Sequence, residues 1–177
     1  MAIKPIKANK GIVGGANDKV YTPSEVAYEL IHLLPIQPQK DFILDPCRGK
    51  GAFYNQFPTD DAHKFWCEID EGNDFFDWHG FVEWIVTNPP YSIYDKFMEH
   101  CFESAINVCV LVPFSKVASS MKRIKNYKEK GFGIKKIWFL SAGKCGFPFG
   151  YPCGFVWFQR GCKDTWEILG ESYGTWK

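Results

Sequence analysis

A polar and aromatic tetrad that follows an apolar run is the part of this chain that most clearly predicts chemistry. The run Trp84–Thr87 is typical of a buried strand, and it is followed by Asn88, Pro89, Pro90 and Tyr91. The two prolines fix φ and donate no backbone hydrogen bond, so the chain leaves the predicted sheet stiffly. The Asn88 side-chain oxygen and the Pro89 carbonyl can accept the two N–H groups of a planar exocyclic amine. Tyr91 can lie on the ring that carries this amine.

A glycine-rich turn precedes this tetrad along the chain. It spans Asp45–Phe53 and follows a predicted strand at Asp41–Asp45. In doubly wound sheets, ligands bind at the carboxyl ends of the strands, where glycines such as Gly49 and Gly51 let the backbone approach a ligand closely. Asp45 places a carboxylate at the strand end, where it can meet a cationic group. A tight turn that binds nothing is the alternative for a glycine pair considered alone.

An acidic residue ends the next predicted strand, Lys64–Glu68, and further acidic residues follow it. Glu68 lies roughly twenty residues beyond the glycine turn, where an acidic side chain can bind both hydroxyls of a ribose. Asp70 is the nearby alternative for this role. Asp74 can accept the amine of an adenine while Phe75 covers one face of its ring. A solvated carboxylate next to a core phenylalanine is the competing interpretation of this pair.

Helices and strands alternate along the chain and would position these motifs. A capping box predicts a helix with Thr22 as N-cap, Pro23 as first residue and Glu25 at the third position. The alternation implies parallel strands joined by crossovers, hence a twisted α/β sheet with helices on both faces and an antiparallel hairpin at its carboxyl end. The other predicted helices are Gly51–Phe57, Ser92–Ser104 and Ser115–Lys130, and the other strands are Trp84–Thr87, Asn107–Val112, Lys135–Ser141 and Gly154–Gln159.

The composition is that of one compact domain. The chain has 177 residues, of which 46% are hydrophobic and 18% aromatic, so it can bury a sizeable core. We expect residues 1–19 to form a flexible basic arm and residues 20–177 to form a single domain. The formal net charge is +1, so a surface for nucleic acid has to be local. No apolar segment approaches the roughly 20 residues of a membrane span, and no secretory signal is expected.

The cysteines predict reduced thiols. There are seven, an odd number, and they are scattered without a C-x-x-C pair, which argues against a disulfide framework and a simple zinc site. Most stand beside apolar residues or glycine, where cysteine behaves as a small apolar residue. We therefore expect no metal and a cytoplasmic location. A metal cluster of Cys145, Cys153 and Cys162 is the alternative, over which plain burial is favoured.

One stretch, Lys116–Lys136, concentrates positive charge. Its basic side chains can neutralise phosphates, and its interleaved serines, Asn126 and Tyr127 can bond to them. Because the stretch begins just after a predicted strand, it would lie at the rim of the site. Contact with nucleic acid is therefore favoured over an ordinary solvated helix face. The basic residues are Lys116, Lys122, Arg123, Lys125, Lys128, Lys130, Lys135 and Lys136.

Taken in order, these motifs resemble those of the S-adenosylmethionine-dependent amino-methyltransferases, above all small phage or prophage enzymes that methylate adenine N6 in DNA. The tetrad matches their catalytic motif, and Asp45–Phe53 resembles their glycine-rich cofactor loop. Tyr21–Pro23 resembles the cofactor motif before the first strand. The resemblance implies that S-adenosylmethionine is bound by Tyr21, Thr22, Pro23, Asp45, Pro46, Cys47, Gly49, Gly51, Glu68, Asp70, Asp74, Phe75 and Asn88.

The same resemblance implies a Rossmann-like class I methyltransferase fold and direct in-line transfer of a methyl group to a flipped adenine. The tetrad would be catalytic, with Asn88 and the Pro89 carbonyl accepting the amine hydrogens and Tyr91 stacking on the base. The late aromatic loop Gly143–Pro152 resembles the loop that supports the target base. The residues expected to contact the substrate are Tyr91, Phe147, Phe149, Tyr151, Lys116, Lys122, Arg123 and Lys125.

One departure from the family concerns recognition of a DNA sequence. Only a short segment separates Asp74 from Asn88, and little chain follows Gln159, so we expect no separate target-recognition domain. DNA is the expected partner, in the cytoplasm of a bacterial or phage-infected cell. The same tetrad occurs in enzymes that methylate RNA or a protein glutamine amide, and cytosine N4 is a further candidate target. A regulatory module that binds S-adenosylmethionine without turnover is the alternative from another class.

Overall fold

A sheet of six strands forms the centre of the protein in the computed structural model, which describes residues 20–148, 150 and 152–163. The strands are β1 (Ile43–Asp45), β2 (Lys64–Trp66), β3 (Val82–Thr87), β4 (Ala105–Pro113), β5 (Phe132–Leu140) and β6 (Cys153–Arg160). Their order across the sheet is β2-β1-β3-β4-β6-β5.

The first four strands are parallel, and the last two form an antiparallel pair. β1 pairs with β2 and β3, and β3 pairs with β4, all in parallel. β6 runs antiparallel to both of its neighbours, β4 and β5. Every residue of β4 except Ile106 is buried, as expected for a strand covered on both faces. The predicted mostly parallel sheet with an antiparallel hairpin at the carboxyl end is confirmed.

Helices cover both faces of the sheet. They are α1 (Ser24–Ile31), α2 (Tyr94–Ser104), α3 (Phe114–Ala118) and α4 (Met121–Glu129). Successive residues of β3 show the division between the faces. Trp84 and Val86 pack in the apolar core that contains α1, whereas Ile85 packs in the core that contains side chains of α2, α3 and α4. The sheet thus separates two cores, and the predicted helices on both faces are confirmed.

The strand order opens a crevice at the carboxyl ends of β1 and β3. From β1 the chain moves to β2 on one side and then crosses to β3 on the other side of β1. Open α/β sheets bind their ligands at such a reversal. Asp45 is the last residue of β1, and Asn88 follows the last residue of β3. Both therefore lie at this crevice.

The first helix begins differently from the prediction. α1 starts at Ser24 with Pro23 as its N-cap, and no side chain caps it. The predicted capping box of Thr22 and Glu25 is therefore wrong. The Thr22 hydroxyl instead accepts a hydrogen bond from the side-chain amide of Asn88, at 3.3 Å.

Two other predicted helices are shorter or divided. The helix predicted at Gly51–Phe57 is reduced to one 3-10 turn. The helix predicted at Ser115–Lys130 divides into α3 and α4, because the backbone of Ser120 is extended with φ −146° and ψ 123°. The last carbonyl groups of a helix have no hydrogen-bond partner within that helix. At the end of α3, Arg123 donates to one of them, the carbonyl of Lys116, at 2.5 Å.

Several predictions concern residues outside the described part of the chain. These are the arm at residues 1–19 and the aromatic residues Phe149 and Tyr151. Among the residues that the structure describes, no helix has the length and apolar character needed to cross a bilayer. The same residues contain no group of three or more His, Cys, Asp or Glu side chains placed to hold a metal ion.

Candidate active site

The side-chain amide of Asn88 is held in one orientation. Its Nδ2 group donates to the carbonyl of Val20 at 3.0 Å and to the hydroxyl of Thr22 at 3.3 Å. Both partners are acceptors towards Nδ2, so the other end of the amide, Oδ1, has to face away from Val20 and Thr22. Oδ1 accepts a hydrogen bond from the Tyr91 hydroxyl at 2.6 Å. The segment before α1 therefore decides which atom of Asn88 faces the inside of the tetrad.

Tyr91 occupies the acceptor that the predicted chemistry requires. Its hydroxyl lies 2.6 Å from Asn88 Oδ1 and 3.2 Å from the carbonyl oxygen of Leu111. Its ring meets the ring of Phe147 edge-on, with a centroid separation of 5.9 Å, and Phe147 is buried. The predicted stacking of a base between Tyr91 and the late loop therefore requires these rings to separate, and it stays a prediction.

A buried carboxyl group lies beneath the tetrad. Asp45 is 1% exposed and accepts a hydrogen bond from the hydroxyl of Thr87 at 2.8 Å. Burial raises the pKa of Asp45 to about 7, although the hydrogen bond from Thr87 opposes the rise. Near neutral pH this group therefore changes charge easily. A cation bound close to it would favour the carboxylate.

Cys47 ties the glycine turn to the tetrad. Its sulfur lies 2.9 Å from the hydroxyl oxygen of Thr87 and donates to the carbonyl of Asn88 at 3.0 Å. Burial of the thiol raises its pKa well above the usual range, so it stays protonated and able to donate. The resemblance placed Cys47 among the cofactor-binding residues, and that role stays a prediction. Thr87, the one polar residue that ends an apolar strand, was the signal for this network that sequence reasoning missed.

The glycine turn adopts a conformation that suits glycine alone. Gly49 and Gly51 have φ of +52° and +81°, a region that side chains disfavour. A Cβ atom on Gly49 would also lie 3.2 Å from the ring of Tyr21. Tyr21 is half exposed, and the ammonium group of Lys50 lies 4.6 Å from the centre of its ring. The turn is thus closed on one side by residues 20–23, the segment before α1. The predicted contact of Tyr21 with the cofactor stays a prediction.

Glu68 lies against the same turn. One carboxylate oxygen accepts the backbone N–H of Gly49 at 2.6 Å, and the other accepts the N–H of Asp70 at 3.2 Å. Asp70 is exposed. The neighbouring Ile69 is 56% exposed, an unusual environment for a large apolar side chain beside a carboxylate that faces a turn. The sequence analysis did not identify Ile69 as a candidate site residue. Its position directly after Glu68 was the signal that could have identified it.

The pair that was predicted to bind an adenine has a structural role. Asp74 accepts the N–H of Phe76 at 3.0 Å and begins a short 3-10 turn. Phe75 is 3% exposed and packs against Phe97 and His100, with ring centroids at 5.0 and 4.6 Å. The ring of Phe75 is therefore part of the core beneath α2. Its contact with an adenine ring stays a prediction.

The proline positions of the candidate site lie beneath its surface. Pro46 and Pro89 are buried, Pro90 is half-buried, and Pro23 is half-buried at the start of α1. A Cβ atom on Gly146 of the late loop would meet the backbone oxygen of Tyr21 at 3.1 Å. The segment before α1 therefore contacts the glycine turn, Asn88 and the late loop. These contacts bring most of the predicted cofactor and catalytic residues to one edge of the sheet.

The basic residues divide into bound and exposed groups. Lys116 donates to the carbonyl of Tyr91 at 3.2 Å. Arg123 donates to both carboxylate oxygens of Asp95, at 2.5 and 2.9 Å, and this pair holds the pKa of Asp95 below its usual range. A phosphate at Arg123 would have to compete with that carboxylate. Lys122 and Lys125 are exposed on α4 and fit the predicted contact with phosphates better.

Comparisons with known proteins give structural matches. No protein-family model matches the chain, and no curated protein matches it in sequence. A proposed RNA methyltransferase from Pyrococcus horikoshii matches with a TM-score of 0.61 and 13% identity, over 82% of this chain and 89% of that one. The M protein of the type I restriction enzyme EcoKI matches with a TM-score of 0.64 and 16% identity, over 80% and 44%. A proposed class I S-adenosylmethionine-dependent methyltransferase from Listeria monocytogenes matches with a TM-score of 0.64 and 15% identity, over 90% and 67%.

These matches establish the fold. The protein has the Rossmann-like class I methyltransferase fold, as predicted from its sequence. The chain spans less than half the length of the EcoKI M protein. At these low identities the similarity extends to the fold alone, and a fold does not by itself determine a function.

Proposed function

We propose that the protein transfers a methyl group from S-adenosylmethionine to the exocyclic N6 amine of adenine in DNA. The observation that carries the proposal is the orientation of Asn88. Its Nδ2 group donates to Val20 and Thr22, so Oδ1 is the end of the amide that can accept a hydrogen bond from a substrate. The carbonyl of Pro89, the next residue, would be the second acceptor. Two acceptors at the carboxyl end of a central strand are what a planar NH₂ group requires.

The other half of the crevice fits the proposed cofactor. Glu68 offers a carboxylate for the ribose hydroxyls, and the exposed Ile69 offers apolar surface for the adenine ring. Gly49 and Gly51 carry no side chain that would block the approach, and their positive φ disfavours any other residue there. Asp45 can balance a positive charge once it is ionised. When bound there, S-adenosylmethionine supplies an electrophilic methyl group.

The tetrad would activate the target amine without a covalent intermediate on the enzyme. Asn88 Oδ1 and the Pro89 carbonyl accept the two amine hydrogens, and this draws the nitrogen lone pair out of conjugation with the ring. The side chains thus contribute alignment and stabilisation of developing charge. The Tyr91 hydroxyl already donates to Asn88 Oδ1. An amide oxygen can accept two hydrogen bonds, so the amine would share this oxygen with the hydroxyl or displace it. The target base has to be extruded from its stack to reach the site.

The surface charge supports a polynucleotide substrate. Lys122 and Lys125 are exposed on α4, and Lys116 contacts the tetrad itself. Such side chains can neutralise phosphates on either side of a flipped nucleotide. The EcoKI M protein, which is similar in fold, belongs to a restriction enzyme. Residues 20–177 would then form the single catalytic domain, and residues 1–19 would form a basic arm that adds to DNA binding.

The experiment that tests the proposal is transfer of tritium from labelled S-adenosylmethionine. Unmodified double-stranded DNA, RNA and a protein extract are offered in parallel, and any labelled product is hydrolysed and identified. N6-methyladenine in the DNA sample is the expected result. Label in RNA alone, or in a protein glutamine, would overturn the choice of substrate while keeping the chemistry. No label in any sample, with the cofactor bound, would indicate a module without turnover.

A further inference from the structure

An apolar hollow lies beside the candidate active site and plays no part in the proposed methyl transfer. Phe114, Ser115, Phe139 and Pro152 line it, and its volume is about 420 Å³, within the range of small-ligand sites. The rings of Phe114 and Phe139 meet edge-on with centroids 5.1 Å apart. Phe139 is 63% exposed. An aromatic ring held in this way beside an open hollow offers one face to a flat ligand.

The sheet places this hollow at the same edge as the tetrad. Thr87, the residue before Asn88, pairs with Val110 of β4, and Phe114 follows four residues later. Because a strand rises about 3.3 Å per residue, the hollow lies on the order of 10 Å beyond Asn88. β6 links the two sides of the hollow, since Gly154 pairs with a residue of β4 and also with Phe139 of β5.

Positive charge connects the hollow with the tetrad. Lys116 belongs to the same short helix as Phe114 and Ser115, and it donates to the carbonyl of Tyr91. The next helix along the chain carries the exposed Lys122. An exposed aromatic ring together with lysines on the adjoining helices is a combination with which proteins bind single-stranded nucleic acid, because the ring stacks on a base while the cations neutralise phosphates.

We propose that this hollow binds a second, unpaired base of the same strand, within a few nucleotides of the target adenine. The proposal rests on the proposed function, since it requires a nucleic-acid substrate. A base stacked on Phe139 would hold the strand while the target base enters the tetrad. It would also favour single-stranded or locally opened DNA. A preference for a neighbouring base could then arise without a separate recognition domain, because bases differ in stacking strength.

Phe139→Ala tests the proposal, with Phe81→Ala as the matched control. Phe81 is a similarly exposed phenylalanine, at 55%, but it directly precedes β3 and so lies at the opposite edge of the sheet. Affinity is measured by fluorescence anisotropy on a single-stranded oligonucleotide that contains a mapped methylation site. We expect Phe139→Ala to weaken binding about tenfold, in line with the loss of one stacked base, and Phe81→Ala to leave it unchanged.

Abasic substitutions locate the stacked base. Each nucleotide near the target is replaced in turn, and the affinity of the wild type and of Phe139→Ala is measured. At one position other than the target, the abasic strand should bind the wild type about tenfold more weakly, with no further loss in Phe139→Ala. Thermal unfolding of both variants checks that they fold.

Three results would overturn the inference. The first is equal affinity of Phe139→Ala and Phe81→Ala. The second is an additive effect of Phe139→Ala at every abasic position. The third is coupling at the target position itself, which would make the hollow part of the pocket for the methylated base. In each of these cases the wild type still methylates the oligonucleotide. A wild type that neither binds nor methylates nucleic acid overturns the proposed function as well, so the two failures are distinguishable.

Discussion

The two halves of the crevice differ in the state of their functional groups. In the half formed by β1, β2 and the glycine turn, the carboxylate of Glu68 bonds to backbone N–H groups, including that of Gly49. Those bonds fix the carboxylate without closing the turn over it. In the half formed by the tetrad and the late loop, functional groups bond to one another. The Tyr91 hydroxyl occupies Asn88, and the ring of Phe147 occupies the edge of Tyr91.

This difference suggests an order of events. The first half is organised for a ligand before it arrives, so the cofactor can bind with little rearrangement. The second half has to exchange internal contacts for contacts with the substrate. The Tyr91 hydroxyl satisfies Asn88 Oδ1 with a hydrogen bond. A substrate group can displace this hydroxyl at low cost only if it forms an equally good hydrogen bond to the same oxygen. The closed state of the tetrad therefore favours a substrate that carries hydrogen-bond donors.

Removal of the Glu68 carboxylate should have the largest effect on the half of the crevice that is formed by β1, β2 and the glycine turn. Glu68→Ala loses two charge-assisted contacts to the ribose and the bond that holds Gly49, so we expect affinity for S-adenosylmethionine to fall about a hundredfold. Isothermal titration calorimetry measures this fall. Glu71→Ala is the matched control, because Glu71 is an acidic residue of the same turn that binds Arg48 instead. Equal losses in both variants would contradict the assignment of Glu68.

The buried Asp45 gives the same half a dependence on pH. Burial raises the pKa of Asp45 to about 7, so below pH 7 a cationic ligand has to displace a proton. Affinity for S-adenosylmethionine should therefore fall by roughly tenfold per pH unit as the pH drops below 7. Calorimetry between pH 5.5 and 7 measures how the affinity depends on pH, and the affinity of Asp45→Asn should not change over this range. A wild type without a slope would show that Asp45 does not face the cation.

Stability of the ligand-free protein should change with pH in the opposite sense. The pKa of Asp45 is raised from 3.8 to about 7 on folding. Between these values the folded state binds more protons than the unfolded state, so the free energy of unfolding should decrease as the pH rises. Urea unfolding of the wild type and of Asp45→Asn at pH 5 and pH 7 isolates the contribution of this group. Parallel behaviour of the two proteins would argue against a raised pKa.

The hydroxyl of Thr22 helps to hold the side-chain amide of Asn88. Thr22→Val removes one of the two acceptors for Asn88 Nδ2, while Val20 retains the other. We expect kcat to fall about fivefold, the effect of one neutral hydrogen bond, with unchanged affinity for S-adenosylmethionine. Thr22→Ser keeps the hydroxyl and should restore the rate. If the affinity falls instead of kcat, Thr22 acts on the cofactor, as its resemblance to the cofactor motif implies.

The smallest effect should come from removal of the Tyr91 hydroxyl. Tyr91→Phe keeps the ring but removes the hydroxyl that occupies Asn88 Oδ1. The target amine then meets no competitor, and KM for the nucleic acid should fall about threefold with little change in kcat. Tyr94→Phe is the control, because the hydroxyl of Tyr94 pairs with Tyr127 in the core. A large loss of kcat in Tyr91→Phe would indicate that the hydroxyl takes part in the reaction.

The sequence predicts the fold and the edge of the site because local patterns encode them. An apolar run that ends in Asn88 and two prolines marks a strand and its exit within a few residues. Gly49 and Gly51 mark a turn that only glycine adopts easily, and the structure has both features where they were predicted. Such signals depend on backbone preferences of neighbouring residues, which a single sequence contains.

The bonds that set the chemistry of the site were not predictable in this way. Asn88 and Thr22 are 66 residues apart along the chain, and Cys47 and Thr87 are 40 apart. The sequence pattern around Thr22 predicts a helix N-cap, but in the structure its hydroxyl binds Asn88 instead. Arg123, 28 residues from its partner Asp95, was assigned to phosphate for the same reason. Polar side chains are paired by the fold, and pairing over such distances leaves no periodic signal.

Nucleoside analysis of DNA after incubation with the wild type and with Asn88→Ala tests the central claim most directly. Calorimetry first measures the affinity of each protein for S-adenosylmethionine, and both proteins are then incubated with unmodified DNA at a cofactor concentration that saturates each of them. We expect N6-methyladenine with the wild type and a yield lower by roughly a hundredfold or more with Asn88→Ala, because one of the two acceptors for the amine is lost. Equal yields from the two proteins, or a methylated product other than N6-methyladenine, would contradict it.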